Sequence, residues 1–583
     1  MALFWLLLLT AALVAAAADP SPPQTVQDVW AGYDPRALPL EIEVTREWVE
    51  RGVRYRKFYF TAEVWEGEPA RIFAYTAAPV GARRLPAVLH LHGGGQTASL
   101  DWLRFWAQRG YAAGTFDFCG PWGDRKEFTL WGKVNANMAT AQGGRVTRPD
   151  VRHSAWYHWT LAARRMLTVL EQMPEVDRER MGIFGISVGG TLTWMVAGTD
   201  ARVKAAVPIY GNGWNSYGSY DAPPDDTEDT ALWRRTMESQ AYAPLITCPV
   251  LFMSATNDFH GWMDNGYRTL ALVNGPARQV FTPHFNHHIE PDEGRDLPLW
   301  MDACLRHGPA FPKTPRLELT LANGLLRALL SPDRPDAIAR VRVYYCLGEG
   351  APQGRFWRLA PARRQGDRWQ AGLPTTDAAL PLRCFANVYY RAGIALSSEL
   401  ARAVPAEMGE ARATEQPSLL IDDFARGFAD WFFGPAYTDP LVTWTYLRSG
   451  EGPRGTKALT VNPQVWGDGP INFELATHQI ADPQWRGPAG AILAFWFRGG
   501  DPTTLRVKAE EHVWAVGWKT YEVEVKLKRP GQWERVVLSA RRFRTKEGEA
   551  LSAWDQVDRL AFIGQTPARQ PPCLARVEWV IAE

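Results

Sequence analysis

Ser187 lies at the centre of Gly185-Ile186-Ser187-Val188-Gly189, directly after the apolar run 181–184 and before the helix-compatible stretch 191–196. A strand, a sharp turn and a helix in that order lift a serine oxygen out of a sheet. The glycines permit a turn so tight that neighbouring side chains must nearly vanish. The Val188 N–H falls beside the hydroxyl, at a helix N-terminus. Upstream, 87–91 reads as a buried strand running into His92-Gly93-Gly94-Gly95. Backbone N–H groups of such a loop can hold an oxyanion together with that of Val188, so Gly94 and Gly95 are the candidate second donors.

A serine hydroxyl is a poor nucleophile until an imidazole takes its proton, and the imidazole needs a carboxylate to fix its tautomer. The strand 249–255 ends at Thr256-Asn257-Asp258, and the short strand 278–283 leads into His284-Phe285-Asn286-His287-His288-Ile289. Asp258 is the candidate acid; its competing reading is a turn-forming residue. Serine, aspartate and histidine in this order, each after a strand, follow the chain order of an α/β-hydrolase triad. The segment 286–289 resembles the Gly-His-x-Phe segment around the base of many such enzymes. That resemblance selects His287, with His288 as the alternative base and His284 as a structural residue.

The resemblance then sharpens. Residues from about 60 to 308 resemble the dienelactone hydrolase and acetyl xylan esterase branch of the α/β hydrolases, including a Val-Asp-x-x-Arg-Ile-like lead-in at 176–183. Asn286 departs from the small residue usual before the base. The resemblance implies a serine carboxylic-ester hydrolase working through an acyl-enzyme on an acylated carbohydrate or another ester, without a cofactor. Two alternatives belong to other classes: a prolyl oligopeptidase-type peptidase and a carbohydrate-binding protein with an inactive hydrolase fold. No propeller repeat precedes the core, and no part of the site is missing.

The elements that must position these residues alternate strand and helix up to about residue 310, which predicts a mostly parallel sheet covered on both faces. A long Gly-rich segment, 120–150, precedes a helix expected near Val151, and a second insertion, 211–229, carries Trp214, Tyr217 and Tyr220. Both leave strand C-terminal ends, where α/β sheets bind ligands. Trp214 and Tyr217 are therefore expected in the substrate pocket.

The chain of 583 residues is too long for one core. Its net charge of +1, without a basic stripe, argues against a nucleic-acid partner. Residues 1–18 read as a signal peptide with a small-residue end, although the first residues lack Lys or Arg. The expectation is a secreted or periplasmic protein with no membrane insertion after processing. The expected domains are a hydrolase over 19–310, an immunoglobulin-like or fibronectin III-like β-sandwich over 315–405, a linker over 406–418 and a jelly roll over 419–583. The last resembles galactose-binding-like, carbohydrate-binding domains and holds ten of the 27 tryptophans. Aromatic rings there serve as core or as flat platforms for sugars. Cys346 and Cys384 are a possible bridge or a pair of buried thiols, and none of the six cysteines has zinc-ligand spacing.

Overall fold

The computed structural model describes residues 22–141, 145–214, 226–434 and 446–581. The apolar N-terminal run, Tyr217 and Tyr220 lie outside the described residues.

The first sheet is built from β1 (Glu43–Glu50), β2 (Val53–Trp65), β3 (Glu68–Pro79), β4 (Leu85–Leu91), β5 (Ala112–Phe116), β6 (Val176–Ile186), β7 (Val203–Ile209), β8 (Val250–Ala255) and β9 (Ala277–Thr282). Their order is β1-β2-β3-β5-β4-β6-β7-β8-β9. The strands from β5 to β9 run parallel, and β1 to β3 add an antiparallel wing. β4 is apolar but for the buried His90, because both its faces are covered. Ala87, Leu89 and Leu91 join one core cluster and Val88 the other.

Helices α1 (Leu100–Ala107) and α5 (Asp296–Leu305) pack on one face. On the other lie α2 (Ala155–Gln172), α3 (Val188–Thr199) and α4 (Met263–Leu270). The helix expected near Val151 begins at Ala155. Ser154 is extended there (φ −74°, ψ 139°), its hydroxyl caps the Trp156 N–H, and Val151–His153 forms a separate 3-10 turn. None of the described helices is long and apolar enough to cross a membrane.

Strands between Arg316 and Ala403 form a four-stranded and a five-stranded antiparallel sheet, a sandwich. It is not a loose appendage. The apolar cluster under α1 and α5 continues into its Leu330, Val343 and Val388. β9 ends the first sheet, and the sandwich satisfies that open edge. Phe281 N–H donates to Ser397 Oγ (2.9 Å), Asn387 Nδ2 to Phe281 O (2.8 Å), and Gln279 Nε2 to the carbonyls of Ser397 and Ser398. An unpaired edge would otherwise template aggregation.

The segment 406–418 is pinned to the sandwich: Thr414 N–H donates to Thr375 O, and the Glu415 carboxylate holds Arg358. The remaining strands form a six-stranded and a five-stranded antiparallel sheet with a core of their own. Asp422 and Asp423 use their carboxylates as turn acceptors, for Phe424 N–H, Trp431 Nε1 and Ala425 N–H. All six cysteines, Cys346 and Cys384 included, are free thiols.

Candidate active site

The β4–α1 connection leaves on one face of the sheet and α2 returns on the other, so a crevice opens at the carboxyl ends of β4 and β6. Ser187 stands there, between β6 and α3, with φ 60° and ψ −117°. That conformation is strained for a residue with a side chain, and the packing imposes it. Ser187 N–H donates to Ile209 O of β7 at 2.9 Å. A Cβ on Gly185 would lie 2.1 Å from Gly189 O, one on Gly189 2.2 Å from Leu91 O, and one on Gly190 2.2 Å from Ile209 O. The backbone is pressed against β4 and β7 so closely that only glycine fits.

Asp258 follows β8 and is fully buried. Its Oδ2 is 2.7 Å from His287 Nδ1, and its Oδ1 accepts the N–H groups of His260 (2.8 Å) and Gly261. Burial alone would raise this carboxyl. The neighbouring His287 charge, its hydrogen bond and the Gly261 N–H together hold it below the ordinary value. The short bond places the imidazole proton on Nδ1 and leaves Nε2 as the acceptor. His287 is itself left-handed (φ 50°), and its ring lies 4.2 Å from that of Tyr210 and 4.8 Å from that of Phe259. The end of β7 thus touches both parts of the site: Ile209 holds Ser187, and Tyr210, just after the strand, packs on His287. Among the described residues no hydrogen bond joins Ser187 Oγ to the imidazole, a separation usual before substrate tightens such a site.

The glycine loop adjoins the elbow. A Cβ on Gly94 would meet Val188 Cγ2 at 3.1 Å and Met138 Cε at 3.0 Å, while Gly95 (φ 71°) lies under the Trp122 indole. Its anchor is His92, whose Nδ1 is 2.7 Å from Gly93 O and whose Nε2 accepts Phe118 N–H at 3.2 Å. Only a neutral imidazole can make both bonds, and burial drives its pKa down to about 3. Arg125, from the 120–150 segment, donates to Gly95 O and stands 3.5 Å from buried Asp117. That segment therefore buttresses the loop from outside.

The other residues singled out in the sequence have partners of their own. His288 stands 3.6 Å from Glu290 and packs edge-on against Phe285, and among the described residues no hydrogen bond joins it to Asp258. His284 is half-buried against Tyr344 and Phe356 of the sandwich, and desolvation there lowers its pKa to about 4. Trp214 lies on the Arg268 guanidinium, 3.9 Å from ring centroid to charge, and its N–H donates to Gln240. Sequence reasoning missed Tyr210, Phe259, Arg125 and Asn257. Asn257 precedes Asp258 and donates to the carbonyls of Gln353 (2.9 Å) and Arg355 (2.7 Å) in the sandwich. Asn286, seen only as a departure, accepts the Phe259 N–H.

A mostly parallel sheet wrapped by helices, with a serine elbow after β6 and an Asp–His pair after β8 and β9, is the α/β-hydrolase fold. Residues 37–212 match the model of the acetyl xylan esterase (AXE1) family. The match takes in the glycine loop and Ser187 and stops before Asp258. The acetyl esterase Axe7A of Xylanibacter ruminicola is 24% identical over 258 residues, 40% of this chain and 55% of that protein. The chain thus spans about half the length of this curated relative. Solved acetyl xylan esterases from Paenibacillus sp. R4 and Thermoanaerobacterium sp. JW/SL YS485 each align with 46% of this chain at 19% identity and a TM-score of 0.38, over 91% and 88% of their own chains.

Proposed function

We propose that this chain is an exported serine esterase that removes acyl groups, of the acetyl type, from a carbohydrate. The observation that carries this reading is the Asp258–His287 pair, poised at the same sheet end as the strained Ser187 and the glycine loop. The match to the acetyl xylan esterase family supports the ester and the sugar, and the apolar run at 2–18 supports export.

In this mechanism Ser187 Oγ attacks the ester carbonyl carbon while His287 Nε2 takes the hydroxyl proton. Asp258, held ionised, stabilises the imidazolium. The carbonyl oxygen gains the negative charge and accepts N–H bonds from Val188 and from Gly94 or Gly95. Collapse breaks the bond to the sugar oxygen, which leaves with the proton from His287. A water then gives its proton to His287 and its oxygen to the acyl carbon, releasing the acid and restoring Ser187.

The test is acid release from acetylated xylan and from nitrophenyl acetate by wild type and Ser187→Ala. Wild type is expected to release acetate from both, and the variant to fall by about 10⁴-fold or more. Equal activity in the two proteins would remove Ser187 from the mechanism. Turnover of the aryl ester alone would keep the nucleophile and discard the sugar.

A further inference from the structure

The tryptophans of the third domain differ in setting. Trp431, Trp554 and Trp579 lie in its core. Trp514 and Trp518 stand instead on the turn between the strands Thr504–Glu511 and Lys519–Val525, half-buried, with ring centroids 4.6 Å apart. The turn passes through left-handed backbone at His512 (φ 51°) and Trp514 (φ 57°). Bulky residues keep such conformations only where their surroundings impose them. The anchor is Val513, a buried side chain whose N–H is shared by both carboxyl oxygens of half-buried Asp558. From that turn the Trp514 ring reaches Phe259 of the hydrolase at 5.2 Å, and Phe259 lies 4.8 Å from His287. Two ring contacts separate the third domain from the proposed base.

Beside these rings is a cavity of about 280 Å³. Asn286, the neighbour of His287, borders it on one side, and Trp514, Trp518, Glu474, Lys508 and Arg559 border it on the other. Arg559 is held by Glu474 and Glu510, so its guanidinium is fixed in place. Aromatic faces on one wall and fixed charged donors and acceptors on the next suit a sugar. The C–H face of a pyranose covers the rings while its hydroxyls pair with the charges. An apolar acyl or aryl group would cover the rings but strip water from the paired charged groups without offering them hydrogen bonds, at a desolvation cost.

We propose that Trp514 and Trp518 form a sugar subsite that the third domain contributes to the hydrolase cleft, holding a pyranose next along the chain from the one esterified at Ser187. The proposal rests on the glycan-ester reading above and adds where the glycan lies. Trp514 and Trp518 are positioning residues in it, because they touch the sugar chain and not the reacting ester.

Full-length Ser187→Ala protein, titrated calorimetrically with unsubstituted xylohexaose, reads the subsite without turnover. Binding is expected, weakened about tenfold or more by adding Trp518→Ala, the usual effect of losing an aromatic anchor. Trp514→Phe, which keeps a ring against Phe259, should retain most of the affinity. Absence of binding, or affinity unchanged by Trp518→Ala, would overturn the subsite. In the active enzyme, Trp518→Ala should lower kcat/KM on acetylated xylohexaose relative to nitrophenyl acetate by a similar factor, through KM. An equal fall on both substrates would make the turn structural and also overturn it. If xylohexaose binds as expected but the active enzyme releases no acetate from its acetylated form, the esterase reading fails and the subsite stands.

Discussion

Asn286 Oδ1 accepts the N–H of Phe259 at 2.9 Å. The loop carrying His287 and the loop carrying Asp258 are therefore joined by a side chain as well as by the carboxylate–imidazole bond. Asn286→Gly should free the His287 loop and lower kcat by about tenfold with little change in KM, since a small misplacement at the chemistry is costly. Steady-state kinetics on nitrophenyl acetate would show it, and an unchanged kcat would deny the tie any role.

The two adjacent histidines should behave oppositely. His287→Ala removes the partner of Asp258 and should reduce kcat by about 10⁴-fold, the scale of losing a triad member. His288→Ala, which loses the contact toward Glu290 and the edge-on packing against Phe285, should stay within a few-fold of wild type. A reversal of these effects would transfer the base to His288.

At the elbow, Gly189→Ala would drive a methyl group to 2.2 Å from Leu91 O and 2.5 Å from His92 O. No side-chain rotation relieves a clash with backbone. The variant should be insoluble, or soluble with Ser187 displaced and esterase activity abolished. Near-normal activity in soluble protein would contradict the close packing of β4 against the elbow.

Asn257 joins the strand end before Asp258 to the sandwich. Asn257→Ala would leave the buried carbonyls of Gln353 and Arg355 without their donor, at roughly 1–3 kcal/mol for each unsatisfied group. A lowered midpoint in urea unfolding is expected, with kcat reduced alongside it. If stability falls and kcat does not, the sandwich supports the fold and not the site.

Glu293 links pH to the same boundary. Buried and accepting the Tyr389 hydroxyl at 2.6 Å, it is raised from 4.5 to about 7, chiefly by burial. A carboxyl raised in the folded state contributes stability fully below its unfolded value. That contribution is lost as pH rises through the folded one. Glu293→Gln stays neutral throughout, so its stability relative to wild type should rise between pH 4.5 and about 7, by up to about 3 kcal/mol. Urea unfolding across that window checks it, and a difference independent of pH would refute it.

What was legible in the chain is what local pattern encodes. The glycines around Ser187, the apolar runs of β4, β6 and β8, and the strand-end positions of Asp258 and His287 each follow from a few consecutive residues. β1 was not legible as part of the sheet, because Glu43–Glu50 is an edge strand exposed on almost every residue and lacks an apolar alternation. Nor were the supports of the site. Asn257 and Gln353, or Phe259 and Trp514, meet only once three domains have docked, and no spacing rule reaches across such separations. Tryptophan counts were equally mute, since core and turn tryptophans look alike in a sequence.

The covering of β9 sets an order of events during synthesis. Phe281 and Gln279 find their partners only when Ser397 and Asn387 have been made, more than a hundred residues later in the chain. At ribosomal speed that is on the order of ten seconds. For that interval a first domain whose nine strands are already complete carries a raw edge. A nascent chain stalled before residue 380 should accordingly depend on chaperones, and one stalled past residue 410 should not.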